Sequence, residues 1–130
     1  MSQKKSTKLP SVYIDENIVP GVADSFRSDF RTVEISRNSR FKGRNESDYI
    51  DELYSDNGIF VTSDAIFVNY LQNNKIKHAG VILIPEQMTA SEKIFFAEIV
   101  GGFIKGGCIS SQFTFRNFIF YPGQDGLRTV

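Results

Sequence analysis

Apolar residues along this chain alternate between two periods. Ser11 to Ile14, Thr32 to Ile35 and Ile59 to Thr62 are short β-rich runs, and Ala79 to Ile84 is an almost continuous apolar one. A continuous run suits a strand covered on both faces, as in a parallel sheet. Between these runs the apolar residues recur at helical spacings. Val22 and Phe26 predict a short helix over Val22 to Phe30, after a break at Pro20-Gly21. Tyr49, Ile50, Leu53 and Tyr54 predict a helix over Glu46 to Ser55. Asn45 is its expected N-cap, with Asp48 three residues on as in a capping box, and Asn57-Gly58 is its stop. Ile66, Phe67, Tyr70 and Leu71 predict another helix, ended by Asn73-Asn74. The longest helix is expected after Pro85, starting at Thr89 or Ser91 and stopping near Lys105 at Gly106-Gly107. Gln112 to Tyr121 reads as an aromatic strand, with Phe113 and Phe115 on one face and Thr114, Arg116 and Phe118 on the other. Pro122-Gly123 reads as a turn, followed by a loose end or a return strand.

Strands alternating with helices predict an α/β domain, a three-layer α/β/α sandwich around a mainly parallel sheet. Residues 11–130 form that domain, and residues 1–10 a flexible tail. With 130 residues, one core can bury roughly two-thirds of the unfolded chain's surface. No staple is then needed, and Cys108, the only cysteine, offers none. Fifteen basic and fifteen acidic residues cancel, which argues against a general nucleic-acid coat protein but leaves room for a local basic patch. Met1 to Lys8 is polar and lacks the apolar segment of a signal peptide. No apolar stretch approaches the ~18 residues of a membrane span. A cytoplasmic location is the expectation.

The chemistry is concentrated at strand ends. Asp15 closes the first apolar run and Asp64 follows the third. In open parallel α/β sheets, ligand sites lie outside the carboxyl ends of the strands, and two acids brought there can share a hard divalent cation. Either acid can instead cap the next helix. Asn17 can orient Asp15 or contact a metal-bound water, and Thr62 and Ser63 can donate hydroxyl hydrogen bonds to a carboxylate or phosphate. Asp48, in the first turn of its helix, is the candidate third acid, with Glu46 as the alternative. Asp51, Glu52 and Asp56 read as that helix's solvated face. Arg37, Arg40, Lys42 and Arg44 form an acid-free basic loop leading into the helix. Such a loop attracts a phosphate backbone, and Phe41 within it could stack on a base. It reads equally as an exposed loop or as a docking surface for an acidic partner. His78, the only histidine, lacks the neighbours of a zinc site. No Gly-x-Ser-x-Gly turn, phosphate-binding loop or dinucleotide fingerprint is present.

Asp15-Glu16-Asn17 after a short strand, Gly43 leading to Ser47-Asp48, and Val61-Thr62-Ser63-Asp64 with Phe67 together resemble the compact PIN-like domains. Among these are the short Asp-Glu-Asn relatives of VapC toxins. The resemblance spans roughly Val12 to Ile84. It implies an acidic pocket binding Mg²⁺ or Mn²⁺ through Asp15, Asp48 and Asp64, with Asn17 as polar partner. It also implies RNA cleavage, often as the toxin of a type II toxin–antitoxin pair. Relatives often carry a further acid where this chain has Ile66. The expectation is therefore a metal-dependent endoribonuclease, and the alternative is a non-catalytic PIN-like module that binds RNA or protein. A phosphoacceptor receiver domain would need a lysine after a late strand, where this chain has Pro85-Glu86. The C-terminal aromatics suggest a homodimer or an antitoxin interface.

Overall fold

The computed structural model describes residues 9–111, 114–123 and 126–129. Of the expected tail, residues 1–10, Met1 to Lys8 lie outside them, as do Gln112-Phe113, whereas Leu9 packs against the core and Pro10 is buried. The elements in chain order are β1 (Ser11–Ile14), α1 (Pro20–Arg27), β2 (Thr32–Glu34), α2 (Glu46–Ser55), β3 (Gly58–Thr62), α3 (Ala65–Asn73), β4 (Val81–Leu83), α4 (Ala90–Ser111), β5 (Ile119–Gly123) and β6 (Gly126–Thr129). A 3-10 turn at Ile35–Arg37 follows β2. The strands form one sheet in the order β2-β1-β3-β4-β5-β6. β1 to β5 run parallel, and β6 returns antiparallel on β5.

Period-two alternation along the strands builds two cores. Val12, Ile14, Ile59, Val61, Ile82, Ile84 and Phe120 face α1 and α4. Tyr13, Phe60, Val81 and Ile119 face α2 and α3. Runs that are apolar on both faces are thus required by helices on both sides, and the expected α/β/α sandwich forms. The connections β1-α1-β2 and β3-α3-β4 step in opposite directions and place their helices on opposite faces, so they share one hand. The connection β4-α4-β5 steps like β3-α3-β4 yet lays its helix on the α1 face, so its hand is reversed. With α2 and α3 already covering one face, α4 is the element left to cover Ile82, Ile84 and Phe120 on the other.

Several local expectations change. Asn45 makes no side-chain cap; the N–H of Asp48 donates to its backbone carbonyl at 2.9 Å. A reciprocal capping box forms instead at the start of α4. The Thr89 N–H donates to Glu92 at 2.8 Å and the Glu92 N–H to Thr89 Oγ1 at 3.1 Å. Gly106-Gly107 does not stop α4. Neither glycine has the positive φ of a helix-ending conformation, and burial of Ile104 and Cys108 carries the helix on. Pro122 and Gly123 lie in β5, so they are not the expected turn. Among the described residues, no helix is long and apolar enough to cross a membrane.

Candidate functional site

β1 and β3 lie side by side with Ile14 level with Val61. The ladder extends one residue further, because the Asp15 N–H donates to the Val61 carbonyl at 2.9 Å. Asp15 therefore stands next to Thr62, the last residue of β3, which is fully buried. The Thr62 hydroxyl donates to Asp15 Oδ2 at 2.7 Å and accepts from the Asp64 N–H at 3.0 Å. The Glu16 N–H donates to Asp15 Oδ1 at 2.8 Å. Asp64 caps α3 by accepting from the Phe67 N–H at 3.0 Å. Thr62 has one hydroxyl proton and gives it to Asp15, so its geometry is set for an ionised Asp15 carboxylate.

A cleft of about 670 Å³ opens at this edge of the sheet. Asp15, Glu16, Asn17, Glu46, Ser63, Asp64 and Glu86 line it, together with Ala65, Ile66, Leu83, Pro85 and Gln87. None of the lining residues is a lysine or arginine. Asn17 sits in the left-handed region, with φ 68°, which asparagine tolerates better than most residues. Burial pushes the Asp15 carboxyl up to about 6 against the two hydrogen bonds that hold it down, and the charges of Glu46 and Glu16 add to the rise. Burial and the charges of Asp15, Glu46 and Glu16 also raise the Tyr49 phenol.

Asp48, the expected third acid, does not line the cleft; Glu46 does. Glu46 stands three, four and seven residues before Tyr49, Ile50 and Leu53, the buried stripe of α2, so it shares their sheet-facing side. Asp48 is two positions on, turned roughly 200° away, and is exposed. Glu86 was not singled out from sequence. Its signal was the same as for Asp15 and Asp64, an acid just past the end of an apolar strand.

The basic loop is separate from the cleft, since none of Arg37, Arg40, Lys42 and Arg44 lines it. Arg44 pairs with Glu52 at 2.6 Å and donates to the Asp48 carbonyl at 3.0 Å. Arg40 pairs with Glu52 at 2.9 Å and Asp56 at 3.5 Å. The presumed solvated acids of α2 thus neutralise much of the loop's charge. Arg37 lies 3.9 Å from Glu34, and Lys42 has no ion-pair partner among the described residues. Phe41 is no platform for a base. It is buried, edge-on to Tyr13 and Tyr49 with ring centroids 5.7 and 5.3 Å away.

Hard oxygen donors in a cleft of uncompensated negative charge suit Mg²⁺ or Mn²⁺. Among the described residues, no three His, Cys, Asp or Glu side chains stand as a ready-made metal cage. Mg²⁺ does not require one, because it is commonly held by one or two carboxylates and keeps several waters. Asp15 and Asp64 supply that number. His78 takes no part: it is buried, and its Nδ1 accepts from the Gly80 N–H at 3.1 Å. No protein-family model, no curated protein and no solved structure matches the chain.

Proposed function

We propose that this chain is a divalent-cation-dependent phosphodiester hydrolase acting on RNA. The observation that carries the proposal is the grouping of Asp15, Glu16, Glu46, Asp64 and Glu86 around one cleft without a lining cation. Asp15 and Asp64 are the proposed direct ligands, and Glu46 takes the place first assigned to Asp48. Bound Mg²⁺ or Mn²⁺ would supply Lewis-acid stabilisation of phosphate charge and an acidic water. Thr62 holds Asp15 and the start of the Asp64 turn at a fixed separation through its two hydrogen bonds. Ser63 and Asn17 place further polar groups at the rim. RNA as substrate follows from the PIN-like resemblance, with Arg37 and Lys42 as the loop cations left for backbone contact. A toxin role extends the same resemblance; growth arrest on expression, relieved by a protein encoded alongside, would mark it.

The test uses structured and unstructured RNA with Mg²⁺ or Mn²⁺. Wild type is expected to cleave, and Asp15→Asn and Asp64→Asn to lose cleavage. Glu46→Gln should lose more than Asp48→Asn. Thr62→Val should cost about 10–100-fold, as for groups that orient ligands. Equal cleavage by wild type and Asp64→Asn would identify a contaminant and end the assignment. Ile66, 82% exposed at the cleft, favours one rival, a module that binds without cutting. Saturable Mn²⁺ binding in calorimetry, lost in Asp15→Ala, argues against that rival.

A further inference from the structure

α4 is apolar on two opposite sides. One side is buried through Phe96, Ala97, Val100, Ile104 and Cys108. On the outward side Phe95 is 63% exposed, Ile99 39% and Ile109 52%. A helix that is apolar all round is normally covered all round. The glycines divide in the same way. A side chain at Gly101 would sit 3.5 Å from Phe26 and one at Gly107 2.8 Å from Phe115, so both serve packing within the chain. A side chain at Gly102 or Gly106 would meet no other part of the chain within 4 Å among the described residues. Each glycine in an exposed helix interior costs about 1 kcal/mol relative to alanine. No contact among the described residues offsets that cost at these two positions.

We infer that the outward face of α4 pairs with α4 of a second copy of this chain, antiparallel and centred on Gly102. Small residues one turn apart let two helix backbones approach closely, and Phe95, Ile99 and Ile109 stand on the same stripe. About an axis at Gly102, Phe95 of one copy meets Ile109 of the other, so protrusions and hollows match. The charges match too. Glu98, four residues before Gly102, comes level with Lys105 and Gly106 of the second copy. Glu98 is exposed and has no ion-pair partner among the described residues. Lys105, held by Asp29 at 2.7 Å, keeps donors to spare. Antiparallel helix dipoles favour the same arrangement. A 22-residue helix is about 33 Å long and 10 Å across. Pairing along it covers several hundred Å² per chain, the scale of a standard interface at about 800 Å² per partner.

The test is sedimentation of the full chain over about 1–200 µM. The expected result is a concentration-dependent rise from 14.7 kDa toward twice that mass. A chain that stays monomeric over the whole range overturns the inference. Gly102→Gln should weaken association at least ~10-fold while its thermal midpoint holds or rises, because the monomer has room for the side chain. Association within about twofold of wild type would overturn the seam. Glu98→Lys and Lys105→Glu should each weaken self-association, and the two variants mixed should associate again. Failure of the folded variants to recover on mixing overturns the antiparallel pairing.

Discussion

Asp15→Asn should make the protein more stable at neutral pH while removing its function. Asp15 is raised from 3.8 to about 6, chiefly by burial and then by Glu46 and Glu16. At about 1.4 kcal/mol per pH unit, that displacement corresponds to roughly 3 kcal/mol. Screening of a half-buried group reduces the figure to about 1–2 kcal/mol. The sign follows from proton linkage. Between about pH 4 and 6 the folded carboxyl holds its proton more tightly than the unfolded one. Its contribution is therefore fully present below about pH 4 and is lost as pH rises through about 6. An asparagine cannot titrate; its Oδ1 can accept from the Glu16 N–H while its Nδ2 donates to the Thr62 oxygen, so the bond to Thr62 reverses direction and the Thr62 proton gives up its acceptor. Urea unfolding followed by circular dichroism should show Asp15→Asn ahead of wild type by about 1–2 kcal/mol at pH 7.5, the advantage vanishing near pH 4. His78 titrates in the same window but is common to both proteins, so it cancels in the difference. Mg²⁺ at ten times its Kd should stabilise wild type by about 1.4 kcal/mol and leave the variant unchanged. Asp15→Asn no more stable than wild type at pH 7.5 would refute the burial reasoning.

His78 works in the opposite direction. Burial lowers it to about 4, so the unfolded chain takes up the proton first and stability falls as pH drops from about 6.5 toward 4. His78→Asn keeps an acceptor for the Gly80 N–H without titrating, and should flatten this acid limb by about 2 kcal/mol; an unchanged slope in urea titrations across pH 4–7 would contradict it. Gly58→Ala places a Cβ 2.3 Å from Tyr13 Cε1. It should cost about 2–3 kcal/mol by overpacking, and a loss under ~0.5 kcal/mol in thermal unfolding would show that the Tyr13 ring yields freely.

The sheet was legible because both of its faces are covered. Val12 and Ile14 against Tyr13, and Ile59 and Val61 against Phe60, leave apolar runs too short for helices and too uniform for a half-exposed sheet. α2 was legible to the residue because its stripe is regular. The end of α4 was not. Gly106-Gly107 has the composition of a stop, and what cancels it is distant packing: Cys108 beyond the glycines is buried, and Gly107 lies against Phe115. Asp48 was singled out by its place in the first turn of α2 and again by the resemblance, yet it does not line the cleft. The periodicity of Tyr49, Ile50 and Leu53 puts Glu46, the alternative, on the inward side. The neutralising of Arg40 and Arg44 by Glu52 and Asp56 depends on how the loop folds back over α2, which no local pattern encodes.

Capping and ligation are not competing roles for Asp64. Its Oδ1 accepts from the Phe67 N–H, and among the described residues its other oxygen has no hydrogen-bond partner. The cap fixes the rotamer that a ligand needs, and the N-terminus of α3 favours the negative charge. Asp15 carries the strain on the other side. It sits where α1 and α3 leave the adjacent strands β1 and β3 for opposite faces, the position at which doubly wound sheets open a crevice. There burial and like charge work against its ionisation, while Thr62 and the Glu16 N–H preserve it. An arrangement that only capped helices would need neither the buried Thr62 bridge nor three further carboxylates facing the same space. A divalent cation bound between the lining carboxylates would offset the cost of ionising the buried Asp15, and this is what supports the proposed reading of the cleft.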